Sequence, residues 1–199
     1  MPTTILVSPA AAALSALGDT IRFSAEVRDQ RGQIMENAPV DWSTSDAMAA
    51  TVDGTGLVTA VANGTVAITA TGGAASATST ATIRQLVAEV RVSPAADTLM
   101  AGDTLRLSAE ARDANGHRVG AAVFSWHSTD VGVATVDQGG LVRALTAGAT
   151  RISAAYAAPQ LVATATITVR GGATSASGPF WRPFIVRREG AAGPTRRVG

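Results

Sequence analysis

Eight aspartates carry most of the chemical potential of this chain. Asp19, Asp29, Asp46 and Asp53 recur, each 84 positions later, as Asp103, Asp113, Asp130 and Asp137. Paired carboxylates can act as acid and base, or hold calcium together with backbone oxygens. These lie in runs of turn-forming residues where strands are expected to end, and there a carboxylate bonds backbone N–H groups instead. Turn formation is therefore the leading role for all eight. His117 and His127 are ten residues apart and have no counterparts in the earlier half. Two histidines cannot build a three-histidine metal site, and the absence of cysteine removes thiolate ligands and a Cys nucleophile. Serine and threonine are abundant, but no Gly-x-Ser-x-Gly elbow exists, and a hydroxyl nucleophile needs a positioned base. The reading is of no catalytic residue, no metal site and no cofactor.

The elements that carry these residues follow from composition and repetition. Hydrophobic residues make up 46% of the 199 and charged residues 16%, enough to bury a core. Aromatics are only 4%, and the bulk is Ala, Val, Thr, Ser and Gly, which suits thin β layers. A formal charge of +1 argues against a dedicated nucleic-acid binder. No stretch of about 20 apolar residues is present to span a membrane as a helix. Met1 to Pro9 lacks the charged and apolar regions of a signal peptide.

The chain contains one unit twice. Gly18-Asp19-Thr20-Ile21-Arg22-Phe23-Ser24-Ala25-Glu26 matches Gly102-Asp103-Thr104-Leu105-Arg106-Leu107-Ser108-Ala109-Glu110. Trp42 and Trp126, Thr51-Val52-Asp53 and Thr135-Val136-Asp137, and Gly56-Leu57-Val58 and Gly140-Leu141-Val142 share the offset of 84. Thr80-Ala81-Thr82-Ile83 matches Thr164-Ala165-Thr166-Ile167 in the same way, whereas Val7-Ser8-Pro9 and Val92-Ser93-Pro94 are 85 apart. A fixed offset over this length divides the chain into copies at 1–85 and 86–170.

Within a copy the hydrophobic period is two. Ile21, Phe23, Ala25 and Val27 alternate with Thr20, Arg22, Ser24, Glu26 and Arg28, as in a half-buried strand. Val66, Ile68 and Ala70 form another such run, and Ala163, Ala165, Ile167 and Val169 another. Turn signals such as Asp53-Gly54-Thr55-Gly56 and Asn63-Gly64 separate the runs. Short strands at this spacing, without helical periodicity, predict an all-β chain of two antiparallel sandwiches of about seven strands each. The expected core is Trp42, Phe23 and Ile68 in copy one and Trp126, Leu107 and Ile152 in copy two. The tryptophans lie on the apolar side of their strands and are expected to fill the space between the sheets rather than stack on sugar. Asn63-Gly64-Thr65 matches a glycosylation pattern but reads first as a tight turn.

The ordered series Val7-Ser8-Pro9, Gly18-Asp19-Thr20, Trp42-Ser43-Thr44-Ser45-Asp46, Ala50-Thr51-Val52-Asp53 and Gly56-Leu57-Val58, repeated in copy two, resembles the bacterial immunoglobulin-like domain, group 2. The resemblance covers residues 4 to 170. It implies an immunoglobulin-like fold and no catalytic residues. It also implies an extracellular or cell-surface setting within a longer exported protein, and a role as spacer or adhesion module. The partner implied is a protein or carbohydrate at a cell surface, with no nucleic acid. The alternatives are an accessory carbohydrate-binding module of a secreted enzyme, for which Tyr156 in a loop is the thin evidence, and a phage structural domain.

Residues 171–199 differ in kind. A Gly/Ser/Pro stretch precedes Phe180-Trp181-Arg182-Pro183-Phe184-Ile185-Val186-Arg187-Arg188, and the segment carries a net +4, against −3 for copy one and 0 for copy two. It reads first as a flexible, disordered tail, with docking to a partner, contact with a membrane or nucleic acid, and the start of a further domain as the alternatives.

Overall fold

A computed structural model describes residues 1–157 and 160–171. The basic aromatic segment around Trp181 lies outside them. Among the described residues there is no α-helix, and none that could cross a membrane.

Copy one forms β1 (Pro2–Ser8), β2 (Ala11–Leu14), β3 (Thr20–Arg22), β4 (Ser24–Asp29), β5 (Asp41–Thr44), β6 (Ala50–Val52), β7 (Leu57–Ala60), β8 (Gly64–Gly72) and β9 (Ala75–Ile83). Copy two repeats them as β10 (Glu89–Ser93), β11 (Ala96–Met100), β12 (Thr104–Arg106), β13 (Ser108–Arg112), β14 (Ser125–Ser128), β15 (Ala134–Val136), β16 (Leu141–Ala144), β17 (Gly148–Tyr156) and β18 (Leu161–Arg170). The nine segments trace seven strand paths. The first path changes sheet at Pro9, so β1 pairs antiparallel with β4 while β2 pairs parallel with β9. The second path is interrupted at Phe23, between β3 and β4. One layer has the order β2-β9-β8-β5; β1-β4 and β3-β7-β6 make the other. The chain is thus all-β, a tandem of two sandwiches.

The interruption at Phe23 has a packing cause. Phe23 N–H donates to Gly56 O at 2.8 Å, outside the regular ladder, and its ring is fully buried. Gly56 holds φ +77°, and a Cβ there would collide with Phe23 O and lie 2.9 Å from the Trp42 ring. Copy two repeats this with Leu107, Gly140 at φ +80° and Trp126. Only glycine lets this left-handed turn lie so close to both the Phe23 or Leu107 carbonyl and the indole.

The centre of each core is built without the indoles. Phe23, Ile68, Val58 and Val66 are buried in copy one, and Leu107, Ile152, Ile167 and Val142 in copy two. Trp42 and Trp126 are only partly buried and pack against the margin of these clusters. The expectation that they fill the space between the sheets is corrected here. β5 and β14 are edge strands, and each ring is only partly covered.

The copies differ at two places. Gly64 pairs with Ile83, but its counterpart Gly148 pairs with Val169 rather than Ile167. The hairpin after β17 is two residues longer than the one after β8, so Thr80–Ile83 and Thr164–Ile167 are similar in sequence but not equivalent in the ladder. A slip of two restores the same face, so the sequence alternation survives it. The second difference is one residue. Leu14 and Leu99 are 85 apart and Gly18 and Gly102 are 84 apart, so copy one spaces them with Ser15, Ala16 and Leu17, copy two with Met100 and Ala101.

Candidate functional site: the junction between the copies

All eight recurring aspartates accept backbone N–H bonds near their own positions. Asp53 takes Thr55 and Leu57, Asp137 takes Gly139 and Leu141, Asp46 takes Met48, and Asp130 takes Gly132 and Val133. Asp19 takes Ser15 and Ala16, and Asp103 takes Met100. In Asp53 the bonds from Thr55 and Leu57 hold the carboxyl below its ordinary range, and in Asp137 those from Leu141 and Gly139 do so. Among the described residues no three His, Asp or Glu side chains converge as metal ligands.

One aspartate does more. Asp113 Oδ1 accepts Asn115 N–H at 3.1 Å and His117 N–H at 2.8 Å within its own turn. Its Oδ2 accepts Leu17 N–H at 3.0 Å and the Gln85 side-chain amide at 2.9 Å, both from copy one. The residue is only 3% exposed. Burial pushes its carboxyl up, but the bonds from Gln85, Leu17, His117 and Asn115 outweigh burial and leave it lowered. A buried carboxylate is tolerable only when its lone pairs are filled, and two donors from each copy fill these.

Around it the contact is reciprocal. Asn115 Nδ2 donates to Leu17 O at 2.9 Å and to Asp19 Oδ1 at 3.0 Å. Asp19 is lowered first by its Ala16 bond, against burial, with Ser15 and Asn115 adding to it. Gln85 is itself held: its N–H donates to Asn63 Oδ1 at 2.7 Å, and Asn63 Nδ2 donates to Gln85 Oε1 at 3.2 Å. The connecting residues are bonded to both bodies, Leu86 N–H to Ser15 O and Ala88 N–H to Arg112 O, each at 2.8 Å, with Val87 buried between them.

The residues expected to matter chemically are distributed as follows. His117 sits at this junction, half exposed, its Nδ1 3.6 Å from Asp113 Oδ1. His127 and Ser128 are adjacent on β14 and face opposite ways, His127 exposed and Ser128 buried. The Ser128 hydroxyl is engaged with Ala134 O, Asp130 O and Thr150, so no Ser–His pair exists there. Tyr156 ends β17 instead of lying in a loop, with its ring 6.2 Å from that of Phe124. Asn63 does not form the expected tight turn; it braces Gln85. Leu17, Gln85 and Asn115 were not singled out by sequence as site residues, and Asn63 was read only as a turn or glycosylation position. The one available signal was the change of offset from 85 to 84, which falls at the Leu17 turn.

Comparison with known proteins places the two copies in a family. The chain is 32% identical over 133 residues to ice-binding protein 1 of Shewanella frigidimarina, covering 66% of this chain and 15% of that protein. It is 35% identical over 124 residues to an uncharacterized protein of Clostridium acetobutylicum, covering 60% of this chain and 12% of that one. The chain therefore spans only a small part of these relatives' length. Among solved structures, surface layer protein SbsC domains 1–6 matches with a TM-score of 0.43 at 18% identity, over 77% of this chain and 23% of that one. Drosophila N-cadherin EC1-4 matches with a TM-score of 0.43 at 16% identity, over 82% and 47%. The model of the bacterial Ig-like domain (group 2) matches residues 3–83 and again residues 86–167. With both copies matched, the chain belongs to the bacterial Ig-like domain, group 2, family.

Proposed function

We propose that this chain is a non-enzymatic spacer within a bacterial surface protein, two modules set at a fixed mutual angle so that whatever they carry is held off in a defined direction. The observation that carries the reading is the buried Asp113 carboxylate, filled by Leu17 and Gln85 of the preceding copy. A flexible tether needs no such group, because an exposed Gly/Ser linker joins domains without burying charge. Family membership supports a surface setting. A protein or carbohydrate partner would meet the exposed loops or the open edges of β5 and β14, where an added strand finds free backbone groups.

The test is a distance measurement on the full chain. Because the protein has no cysteine, Thr80→Cys and Thr164→Cys, both exposed and one in each copy, introduce a unique pair for spin labels. A single narrow inter-label distribution is expected, widened by Asp113→Ala. A broad distribution in the otherwise native chain overturns the spacer reading.

A further inference from the structure

Copy one carries the same turn that copy two uses to hold its predecessor. Asp29 N–H donates to Gln33 O at 2.9 Å, as Asp113 N–H does to His117 O at 2.9 Å. Asp29 Oδ1 accepts Arg31 N–H at 2.8 Å and Gln33 N–H at 3.0 Å, matching Asn115 and His117 on Asp113 Oδ1. Gly32 and Gly116 hold φ +78° and +83°, and the bridges Arg28↔Ile34 and Arg112↔Arg118 close the two turns alike. The difference lies at the second oxygen. Asp113 Oδ2 is filled from the neighbouring copy, whereas Asp29 Oδ2 has no hydrogen-bond partner among the described residues.

We infer that the Asp29 turn is a docking surface for another module of this family, seated as copy one is seated on copy two. The inference rests on the junction reading above. The duplicate turn shows what the free oxygen takes: a backbone N–H from a turn like Ser15–Leu17 and a side-chain amide like that of Gln85. The other groups needed are present. Arg31 replaces Asn115 and offers donors to the carbonyl and carboxylate that Asn115 reaches, Leu17 O and Asp19 Oδ1. The second acceptor for the Gln85 amide is a backbone carbonyl, Arg118 O at 3.3 Å, which Ile34 supplies equally. Ile34 is 57% exposed, an apolar side chain that a docked module would cover. The far end of copy two is not the occupant. Its turn is one residue short at Leu17, and Val169 takes the ladder place of Ile83 with no glutamine after it. The occupant must carry the longer turn and the terminal glutamine, as copy one does.

The test joins residues 1–85 directly to Met1 of the full chain, which reproduces the seven-residue spacing from Gln85 to Val92. The product has a new junction at Asp29 and the native one at Asp113. Amide exchange at Leu17 is read at each junction, with spin-label distances across each. Protection of the added module's Leu17 amide within about tenfold of the native one, and a narrow distance distribution, are expected. Asp29→Ala should abolish both at the new junction and leave the native junction unchanged. Fast exchange and a broad distribution at the new junction alone overturn the docking surface and leave the spacer reading standing. Loss at both junctions overturns both. Protection that persists in Asp29→Ala shows contact without the carboxylate and also overturns the inference.

Discussion

Asp113→Asn isolates what the junction carboxylate contributes, because Asp29→Asn makes the same change in the same turn without a docked neighbour. The asparagine carbonyl keeps the place of Oδ1 and its two bonds within the turn. Its amide then faces two donors, Leu17 N–H and the Gln85 amide, where Oδ2 accepted both at 3.0 and 2.9 Å. Hydrogen bonds to charged groups are worth about 1.5–3 kcal/mol net each, so the two together hold roughly 3–6. Rotation of the Gln85 amide can recover one bond of about 1 kcal/mol, at the expense of its contacts with Arg118 and Asn63. Leu17 N–H has no such rescue, and the net loss is about 2–5 kcal/mol. At about 1.4 kcal/mol per tenfold, Leu17 amide protection should fall by a factor of roughly thirty to several thousand. Asp29→Asn should leave Leu17 untouched. Equal changes at Leu17 in the two variants, or none in Asp113→Asn, would refute the clamp.

Other consequences can be checked on the same protein. Phe23→Ala and Leu107→Ala, both in fully enclosed sites, should each cost about 3–5 kcal/mol in urea unfolding, while Trp42→Ala and Trp126→Ala, at the margin, should fall at or below the lower end. Gly56→Ala and Gly140→Ala combine a left-handed φ with collision against the Phe23 and Leu107 carbonyls and crowding of Trp42 and Trp126, and each should cost at least about 2 kcal/mol, seen with a shifted tryptophan emission. Asp19, Asp53, Asp113 and Asp137 have lowered values in the folded state, so their contribution is complete above the ordinary carboxylate range near pH 4 and is lost as pH falls through the lowered values. Melting temperature should therefore be flat from about pH 5 upward and drop in acid, less steeply in Asp113→Asn. Millimolar calcium should leave the melting temperature unchanged, because the recurring carboxylates are already bonded to backbone N–H groups.

The central strands were legible because their ladders keep a period of two, and Val66, Ile68 and Ala70 are buried as that period requires. The turns were legible because aspartate and glycine make them by local bonding. The tryptophans misled for a physical reason: alternation assigns a side chain to a face of its strand but does not say whether the strand is central or at an edge. The hairpin slip was hidden because a shift of two leaves every hydrophobic residue on its own face. The junction was least legible. Asp113 and Asp29 are the same residue in the same turn, and what distinguishes them is a neighbour 96 residues away, at Leu17. No local pattern encodes a contact whose partners are a backbone N–H and an amide borrowed from another copy.

The parallel pairing of β2 with β9, and of β11 with β18, decides how this protein answers to tension. Pulling on the two ends of a copy drags these neighbouring strands in opposite directions along their own axes. The load then falls on all rungs of the ladder at once, as shear, rather than opening them one at a time like a zipper. Four positions are paired in copy one and five in copy two. With the rung strengths alike, copy one is the first to yield, and a stretched chain lengthens in two steps, copy one before copy two.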